Sequence, residues 1–425
     1  MNRRVVITGL GLISPLGLTL EDNWKSLING KSGVDFISSF ECSSWQVNVA
    51  GEVKDFSPDC LPCKKKSIKL MNRDAQLAVA ATNVALEDSR LNRNEVEPSA
   101  IGIAFGALGV QYTLEDAYIT TYNASGKKIS WLNGSEPQCL NPIWPLTILP
   151  NMSLCHIAIT HNIQGPNIAF CSLTTSGAQS IGEAFKLIKY GECDVFIAGG
   201  GSSLNPCYLF SLYASGLLSD ERDNPSAACR PFDKKRSGFV IGEGAAVVIL
   251  EELSHALKRS APIYGEVIGY SAMQGDMLHS EMHSFDTKVE GVAACVQRAI
   301  EQAKIDPRDV DYLNADGKAT FMSDWVETEA IKKVFGSHAY KLSISSTKST
   351  MGHLLCASAP AEIVVGVLAM RDGIVPPTIN YQHPDPCCDL DYTPNQLKKR
   401  EVKVVLSHTI GLNGENAALL IRRFS

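Results

Sequence analysis

One stretch of the chain has the form of a reactive turn. Residues 165–177 begin as an apolar strand pattern, pass through Cys171-Ser172-Leu173-Thr174-Thr175-Ser176 and then enter a helix pattern at Gly177. A strand–turn–helix elbow lifts the residue at its turn toward a pocket, and the helix N-terminus behind the turn favours an anionic nucleophile. We therefore predict that this turn faces a reaction site.

Three further stretches place carboxylates, lysines and histidines among small residues. Residues 314–320 read Asn-Ala-Asp-Gly-Lys-Ala-Thr, and Asp324 and Glu327 follow them. Residues 345–353 end in a Gly-His pair, and residues 408–416 form a glycine-bearing turn between the last two predicted strands. We expect the chemistry of the protein to lie in these four stretches.

The elements around these stretches follow a regular alternation. Strand patterns include residues 4–8, 101–105 and 402–406, whereas residues 74–88 and 177–190 place apolar side chains at helical spacing. Such alternation predicts an α/β protein with buried, largely parallel sheets.

The two halves of the chain resemble each other weakly, because each has a strand, a tight turn of small polar residues and a helix rich in small residues. We predict one duplicated body with halves at residues 1–253 and 254–425. Residues 122–150 combine Gly, Asn, Pro and two Trp, which predicts a long functional loop or insertion in the first half.

Composition excludes several classes of protein. The chain has 425 residues, of which 45% are hydrophobic and 20% charged, and its formal net charge is 39 − 45 = −6. This balance is that of a globular chain and excludes a disordered one. A mildly acidic chain is no generic nucleic-acid binder, because binding phosphate needs a large positive field.

The lengths of the apolar runs and the number of cysteines indicate the cellular compartment of the protein. The longest apolar runs are well short of the roughly 20 residues that span a bilayer, and the N-terminus lacks the apolar core of a signal peptide. The 13 cysteines are an odd number, which favours reduced thiols over a disulfide framework. Cys60-Leu-Pro-Cys63 has no second pair nearby, so no metal site is predicted there. We expect a cytoplasmic protein with no membrane partner.

The whole chain resembles the elongating, type II beta-ketoacyl-ACP synthases of the thiolase superfamily. The matching stretches, in the same order as in that family, are residues 5–17, 223–244, 345–355 and 375–380. The resemblance implies the thiolase fold, an α/β architecture with a duplicated five-layered αβαβα core that usually forms dimers.

In that family the elbow carries a cysteine that is acylated, two histidines assist decarboxylation, and a lysine and a glutamate support them. The positions that match them here are Thr174, Asp316, His353, Lys348 and Glu362. A threonine hydroxyl needs an adjacent base before it can attack. An anionic Asp316 repels an enolate instead of stabilising it. The resemblance thus implies a site that no longer catalyses condensation.

Within the family this pattern is most similar to the ketosynthase beta subunit, or chain length factor, of type II polyketide synthases. Such a subunit pairs with an active ketosynthase alpha subunit, and its dimer face lines the tunnel for the growing polyketide chain. Many of these subunits have glutamine at the elbow, where this chain has Thr174. The resemblance implies an acyl carrier protein as a further partner, and no metal or organic cofactor.

The resemblance also implies three sets of binding residues. The tunnel wall and dimer face correspond to Leu108, Gly109, Tyr112, Thr147, Leu149 and Met152. The gate loop, which has fewer glycines than the family pattern, corresponds to Ile410, Gly411 and Leu412. The carrier-protein docking site corresponds to Lys64, Lys65, Lys69 and Arg73. A docking arginine of the family corresponds to Gly216, and its absence favours carrier-protein docking on the partner subunit. The basic run at residues 64–73 is also typical of a solvated surface with no partner.

Several other functions fit the same residues. Thr174, His353 and Asp316 could form a hydrolase-like triad, although the family geometry puts both bases on one side of the nucleophile. Cys171 could be a displaced nucleophile, although we expect it on a buried strand as a small apolar residue. The remaining alternatives are an active homodimeric synthase and a malonyl-ACP decarboxylase. His353 and Lys348 could also serve only to hold helix ends together.

Overall fold

The computed structural model describes residues 3–93, 95–110, 143–278 and 284–424. Its strands, in chain order, are β1 Val5–Ile13, β2 Val34–Phe36, β3 Val49–Gly51, β4 Ile101–Gly106, β5 Asn167–Phe170, β6 Val195–Ser202, β7 Gly244–Glu252, β8 Gly265–Gln274, β9 Tyr312–Asn314, β10 Ser343–Ser345, β11 Ile374–Val375, β12 Lys398–Lys399, β13 Val404–Ile410 and β14 Glu415–Arg422. Its helices are α1 Leu20–Ile28, α2 Lys65–Ile68, α3 Arg73–Ser89, α4 Pro145–Ile148, α5 Met152–His161, α6 Ser176–Tyr190, α7 Pro206–Ala214, α8 Leu253–Lys258, α9 Phe285–Ala303, α10 Phe321–Phe335, α11 Lys348–Met351 and α12 Ser358–Asp372.

The main sheet repeats one strand arrangement twice. Its order is β10-β9-β13-β14-β8-β1-β7-β6-β4-β5. From β1 outward, β7 and β6 are antiparallel to their inner neighbours, and β4 and β5 then add in parallel. From β8 outward, β14 and β13 are antiparallel to theirs, and β9 and β10 again add in parallel. This repetition confirms the duplicated core.

A short ladder between β1 and β8 joins the two five-stranded halves. The register pairs Val5 with Val267, Val6 with Glu266 and Ile7 with Gly265. The predicted boundary between residues 253 and 254 falls after β7, between the two repeats, and stays a prediction.

Two helices form the middle layer of the molecule. Both α6 and α12 contact strands of each half, while α3 packs on β1 and β7 and α9 packs on β8 and β14. The middle helix α12 is rich in Ala and Val, and all its residues from Ser358 to Met370 are buried. Small side chains are favoured here because the helix is packed against strands of both five-stranded halves of the main sheet. The layers therefore follow the predicted αβαβα order.

The predicted insertion at residues 122–150 lies mostly outside the described residues, which resume at Ile143. Its described end contains α4, where Ile148 is buried and Leu146 and Leu149 are exposed. Among the helices that the structure describes, none combines the length and apolar character that a membrane span requires.

Candidate functional site

The predicted elbow forms where β5 leads into α6. A single 3-10 turn, Leu173–Thr175, separates them, and Leu173 adopts a left-handed backbone conformation with φ of 49°. Thr174 is fully buried, and its Oγ1 has no hydrogen-bond partner in the described part of the chain. Since no described residue accepts a hydrogen bond from this hydroxyl, nothing in the described part of the chain is placed to remove its proton.

A second elbow, in the C-terminal half, repeats this geometry. Leu355 has φ of 48° in the 3-10 turn Leu355–Ala357, which leads into α12 and contacts the first turn. Cys356 takes the place in this turn that Thr174 takes in the first. Burial raises the pKa of the Cys356 thiol to about 12, so it is not an activated nucleophile.

Cys171 differs from its sequence-based expectation. It was expected on a buried strand, but it is exposed, because β5 lies at the edge of the sheet and Cys171 follows its last residue. Partial burial still raises the pKa of its thiol above the ordinary value, which favours the unreactive protonated form.

A chain of four buried charged groups crosses the site. Asp316 lies between two ammonium groups, 3.1 Å from Lys318 Nζ and 3.2 Å from Lys348 Nζ. Lys348 also donates to Glu362 Oε1 at 2.7 Å, and Ser407 Oγ donates to Glu362 Oε2 at 3.0 Å. The side chains of all four charged residues are at most 1% exposed.

The protonation states of this chain follow from burial and pairing. Burial opposes ionisation of Asp316, but Lys318 and Lys348 together hold the pKa of that carboxyl far below its usual range. Burial likewise disfavours the charged Lys348, yet Asp316 and Glu362 raise its pKa. Burial raises the pKa of Glu362 to about 7, against the pull of Lys348. Asp316 and Lys348 are therefore an ion pair at neutral pH.

His353 presents one nitrogen to the site. Its Nδ1 accepts from the backbone N–H of Leu355 at 3.0 Å and lies 3.0 Å from Ser358 Oγ. Since a backbone N–H can only donate, the proton of the neutral ring is on Nε2. Burial, aided by the positive charge of Lys348, lowers the pKa of His353 well below the ordinary histidine value. His353 is thus a neutral donor, and its Nε2 has no partner among the described residues.

The turn that carries Asp316 is held by the two acidic residues after it. Glu327 accepts from the backbone N–H groups of Asp316 and Gly317 at 2.8 and 2.9 Å, and Asp324 accepts from that of Ala319 at 3.1 Å. Both acids lie on α10, so the helix fixes the direction of the Asp316 side chain.

Lys318 and His408 also belong to the site, although their residue types alone do not distinguish them within the polar stretches at residues 314–320 and 408–416. Lys318 Nζ also donates to the carbonyl of Ile410, and His408 Nδ1 lies 3.4 Å from Glu327 Oε1. A lysine inside a buried strand-to-helix turn is the signal that could have identified Lys318, because a lysine is almost never fully buried without a partner.

The structure joins most of the predicted pocket residues. Asp316, Lys348 and Glu362 are linked by ion pairs, and His353 is within the electrostatic reach of Lys348. Within the described residues, Thr174 has no hydrogen bond to any of them. This geometry does not support the hydrolase-like triad, since such a triad needs a bonded series of nucleophile, base and orienting acid.

Two of the predicted tunnel and gate residues, Leu108 and Leu412, pack in an apolar cluster beside the elbow. Leu108 and Leu355 belong to one apolar cluster, and Leu173 and Leu412 pack against it. Ile410 and Gly411 are buried. Thr147 and Met152 are half-buried, Leu149 is exposed and Gly109 faces Tyr208; Tyr112 lies outside the described residues.

The predicted docking residues divide into two kinds. Lys64, Lys65 and Lys69 are exposed around α2. Arg73 instead pairs with Glu243 at 2.9 Å, donates to the carbonyl of Val53 and covers the ring of Phe56. Lys65 Nζ lies 3.9 Å from Asp59 Oδ1, but all three lysines are exposed and so can meet a partner, whereas Arg73 is engaged within the fold.

Two family profiles match the chain. The profile for "Beta-ketoacyl synthase, N-terminal domain" matches residues 2–256, and the one for "Beta-ketoacyl synthase, C-terminal domain" matches residues 264–382. The chain is 41% identical over 423 residues to a 3-oxoacyl-[acyl-carrier-protein] synthase 2 of Coxiella burnetii, with 99% of both chains covered. It is 38% identical over 424 residues to the protein of the same name from Synechocystis, covering 99% of this chain and 98% of that one.

Solved structures match over the full length of both chains. The ishigamide ketosynthase/chain length factor is 28% identical with a TM-score of 0.87. A type II polyketide synthase acyl carrier protein in complex with its ketosynthase, bound to the hexaketide, is 29% identical with a TM-score of 0.86. A beta-ketoacyl synthase from Burkholderia phymatum is 28% identical with a TM-score of 0.88.

Proposed function

Because the chain belongs to the beta-ketoacyl synthase family and has its thiolase fold, we propose that it is a non-condensing subunit that pairs with an active ketosynthase. In this role it acts as a chain length factor. It stabilises the active subunit and shapes the tunnel into which a malonyl-derived chain, bound to an acyl carrier protein, is extended.

One observation carries this proposal: the ionised Asp316 is enclosed between Lys318 and Lys348 at the position where condensation needs a neutral donor. Decarboxylation of a malonyl group builds negative charge on an enolate oxygen, which the catalytic groups must stabilise. Of the two histidine positions, only His353 offers a donor, through its Nε2. A carboxylate at the other position opposes the developing charge.

The elbow supports the same conclusion. Acyl transfer to Thr174 requires a base that removes the hydroxyl proton, and Oγ1 has no partner among the described residues. The neutral thiols of Cys171 and Cys356 are no substitutes, because the thiolate is the reactive form of cysteine.

The relatives favour a second candidate, an active homodimeric synthase. The chain is 41% identical to a 3-oxoacyl-[acyl-carrier-protein] synthase 2 over nearly its whole length, which is closer than its 28% identity to the ketosynthase/chain length factor structure. On this alternative, Thr174 or Cys171 carries the acyl group. A malonyl-ACP decarboxylase is less well supported, because it needs both donors at the histidine positions.

The test is copurification from the native host, followed by intact-mass analysis after feeding malonyl-loaded carrier protein. We expect a 1:1 complex with a ketosynthase that has a cysteine at its elbow, and acyl mass on that partner alone. Acyl mass on this chain that disappears in Thr174→Ala or Cys171→Ser would establish the second candidate. Carbon dioxide released by the isolated chain would establish the decarboxylase.

A further inference from the structure

We propose that Lys318 is a positioning residue that holds the turn at residues 410–415 closed over the pocket and so keeps acyl chains away from Thr174. This turn, named here the gate turn, contains the predicted gate loop. The inference relies on the proposed function in one respect only, since it takes the pocket to be the acyl site of the family.

The contacts of Lys318 span two segments that are far apart in sequence. Its Nζ pairs with Asp316 Oδ2 at 3.1 Å and also donates to the carbonyl of Ile410, the first residue of the gate turn. Its side chain is 1% exposed. The ammonium thus bridges the turn that holds Asp316 and the turn that covers the elbow.

Burial makes this bridge difficult to break. An ammonium removed from water needs partners for its charge and its three donors. Ile410 also ends β13 and pairs with Asn416 of β14. If the gate turn moved outward together with this end of β13, Lys318 would lose the Ile410 carbonyl while Asp316 kept the ammonium inside the protein. The open state therefore leaves a buried donor unsatisfied, and the closed state is favoured by a charge-assisted hydrogen bond.

Other contacts hold the far end of the same turn. Glu415 accepts through Oε2 from the backbone N–H of Asn413 at 3.1 Å, and Gln274 Nε2 donates to the carbonyl of Asn413 at 2.8 Å. The backbone N–H of Gly275 donates to the carbonyl of Gly414 at 2.7 Å. Asn413 is exposed and Gly414 is buried, and Lys318 adds a buried, charged anchor at the first residue of the turn.

The closed turn covers the elbow. Leu412 packs against the apolar cluster that contains Leu355 and Cys356, and Leu173 packs against the same cluster. Thr174, the next residue, is 0% exposed. In this proposal Leu412 must leave the cluster before an acyl chain reaches Thr174, and the Lys318 anchor opposes that movement.

The experiment places a thiol at the elbow and measures which reagents reach it. Thr174→Cys is made in the full-length chain, alone and together with Asp316→Asn/Lys318→Met, which removes one charge of each sign and leaves Lys348 paired with Glu362. Each protein is treated with iodoacetamide or N-dodecyl iodoacetamide. The thiolate attacks the methylene carbon, iodide leaves and the thiol proton goes to solvent. Peptide mass analysis then gives the rate of labelling at position 174.

We expect the dodecyl reagent to label Thr174→Cys poorly. Neutralising the pair should raise its rate, relative to iodoacetamide, by about tenfold, as expected when one charge-assisted hydrogen bond of the closed state is lost. Lys318→Arg, which retains a cation, should keep the exclusion. Lys333→Met, which removes a surface lysine paired with Glu290, should change nothing.

Equal relative rates with and without Lys318 would overturn the proposal. It would also be overturned if the neutralised variant resisted both reagents while a cooperative thermal unfolding transition showed that it is folded. If the neutralised variant does not fold, the labelling assay is replaced by hydrogen exchange of the gate turn, measured in Lys318→Arg and in the parent. The proposal then requires protection equal to that of the parent. The assay contains no carrier protein, partner subunit or condensation step, so its failure is distinct from failure of the proposed function.

Discussion

At the scale of single residues, this protein tolerates buried charge where the charge is paired and removes it where it is not. Asp316 is ionised because two lysines flank it, whereas His353 is neutral because it is enclosed beside the positive Lys348. Removing one member of such a pair leaves an uncompensated charge, which typically costs several kcal/mol. For this reason the test of Lys318 changes both partners together.

His161, outside the pocket, gives a prediction about pH. It ends α5, is 3% exposed, and its Nδ1 accepts from Arg93 at 3.1 Å. Burial, followed by the nearby guanidinium, lowers its pKa to about 4. An unfolded histidine titrates near a pKa of about 6.5. As the pH falls below that value, His161 binds a proton in the unfolded chain but stays neutral in the folded chain. The free energy of unfolding therefore falls until the pH reaches about 4.

Between pH 7 and pH 5 this residue alone should lower the free energy of unfolding by about 2 kcal/mol. His161→Gln cannot titrate and should lose that part of the pH dependence. Urea unfolding of both proteins at the two pH values measures the difference. An identical pH dependence in the variant would mean that His161 is protonated equally in the folded and unfolded chains.

At the scale of elements, β6 and the second elbow lie close together because a glycine lets the two backbone segments approach. A Cβ added to Gly200, on β6, would lie 2.1 Å from the carbonyl oxygen of Cys356 in the second elbow. At Gly201, the next residue of β6, the nearest atom to an added Cβ is a ring carbon of Phe105 at 3.4 Å, an ordinary contact. Two adjacent glycines thus meet opposite environments on the two faces of one strand.

Gly200→Ala should therefore lower the free energy of unfolding by about 1–3 kcal/mol, because the second elbow must shift to make room. Gly201→Ala is the matched control and should stay within about 0.5 kcal/mol of the parent. Thermal unfolding midpoints of the two variants decide the matter. Equal midpoints would show that the β6 contact with Cys356 is loose.

At the scale of the whole molecule, the sheet ends in an edge strand beside the elbow. β5 pairs with β4 on one side, and within the described residues it has no strand on the other. The carbonyl of Pro166 accepts from Ile103 of β4 and that of Phe170 from Ala107, just after β4, so strand alternation points the backbone N–H of Ala169 away from β4. An exposed edge of this kind can pair with another chain. We expect the pairing proposed for this chain to use that edge, next to Cys171.

Ala169→Pro removes the outward N–H without removing a bond to β4, and it should convert the paired species into monomers. Ala169→Val keeps the N–H and should keep the pairing. Light scattering during gel filtration reports the mass of each, and circular dichroism checks that both are folded. A dimer that survives the proline would place the interface elsewhere.

The sequence by itself determined the fold class, the elbow and the residues that match the family site. Strand and helix periodicities are local, and the matching stretches occur in one order along the chain. Only the tertiary structure decided what those residues do to one another. Lys318 meets the carbonyl of Ile410 across 92 positions of sequence. Cys171 is exposed because β5 lies at the sheet edge. The residues of a strand do not by themselves predict its position in the sheet. The charge of a side chain depends on its burial and its partners in the folded pocket. The ionisation of Asp316 therefore follows from the tertiary structure and not from the sequence.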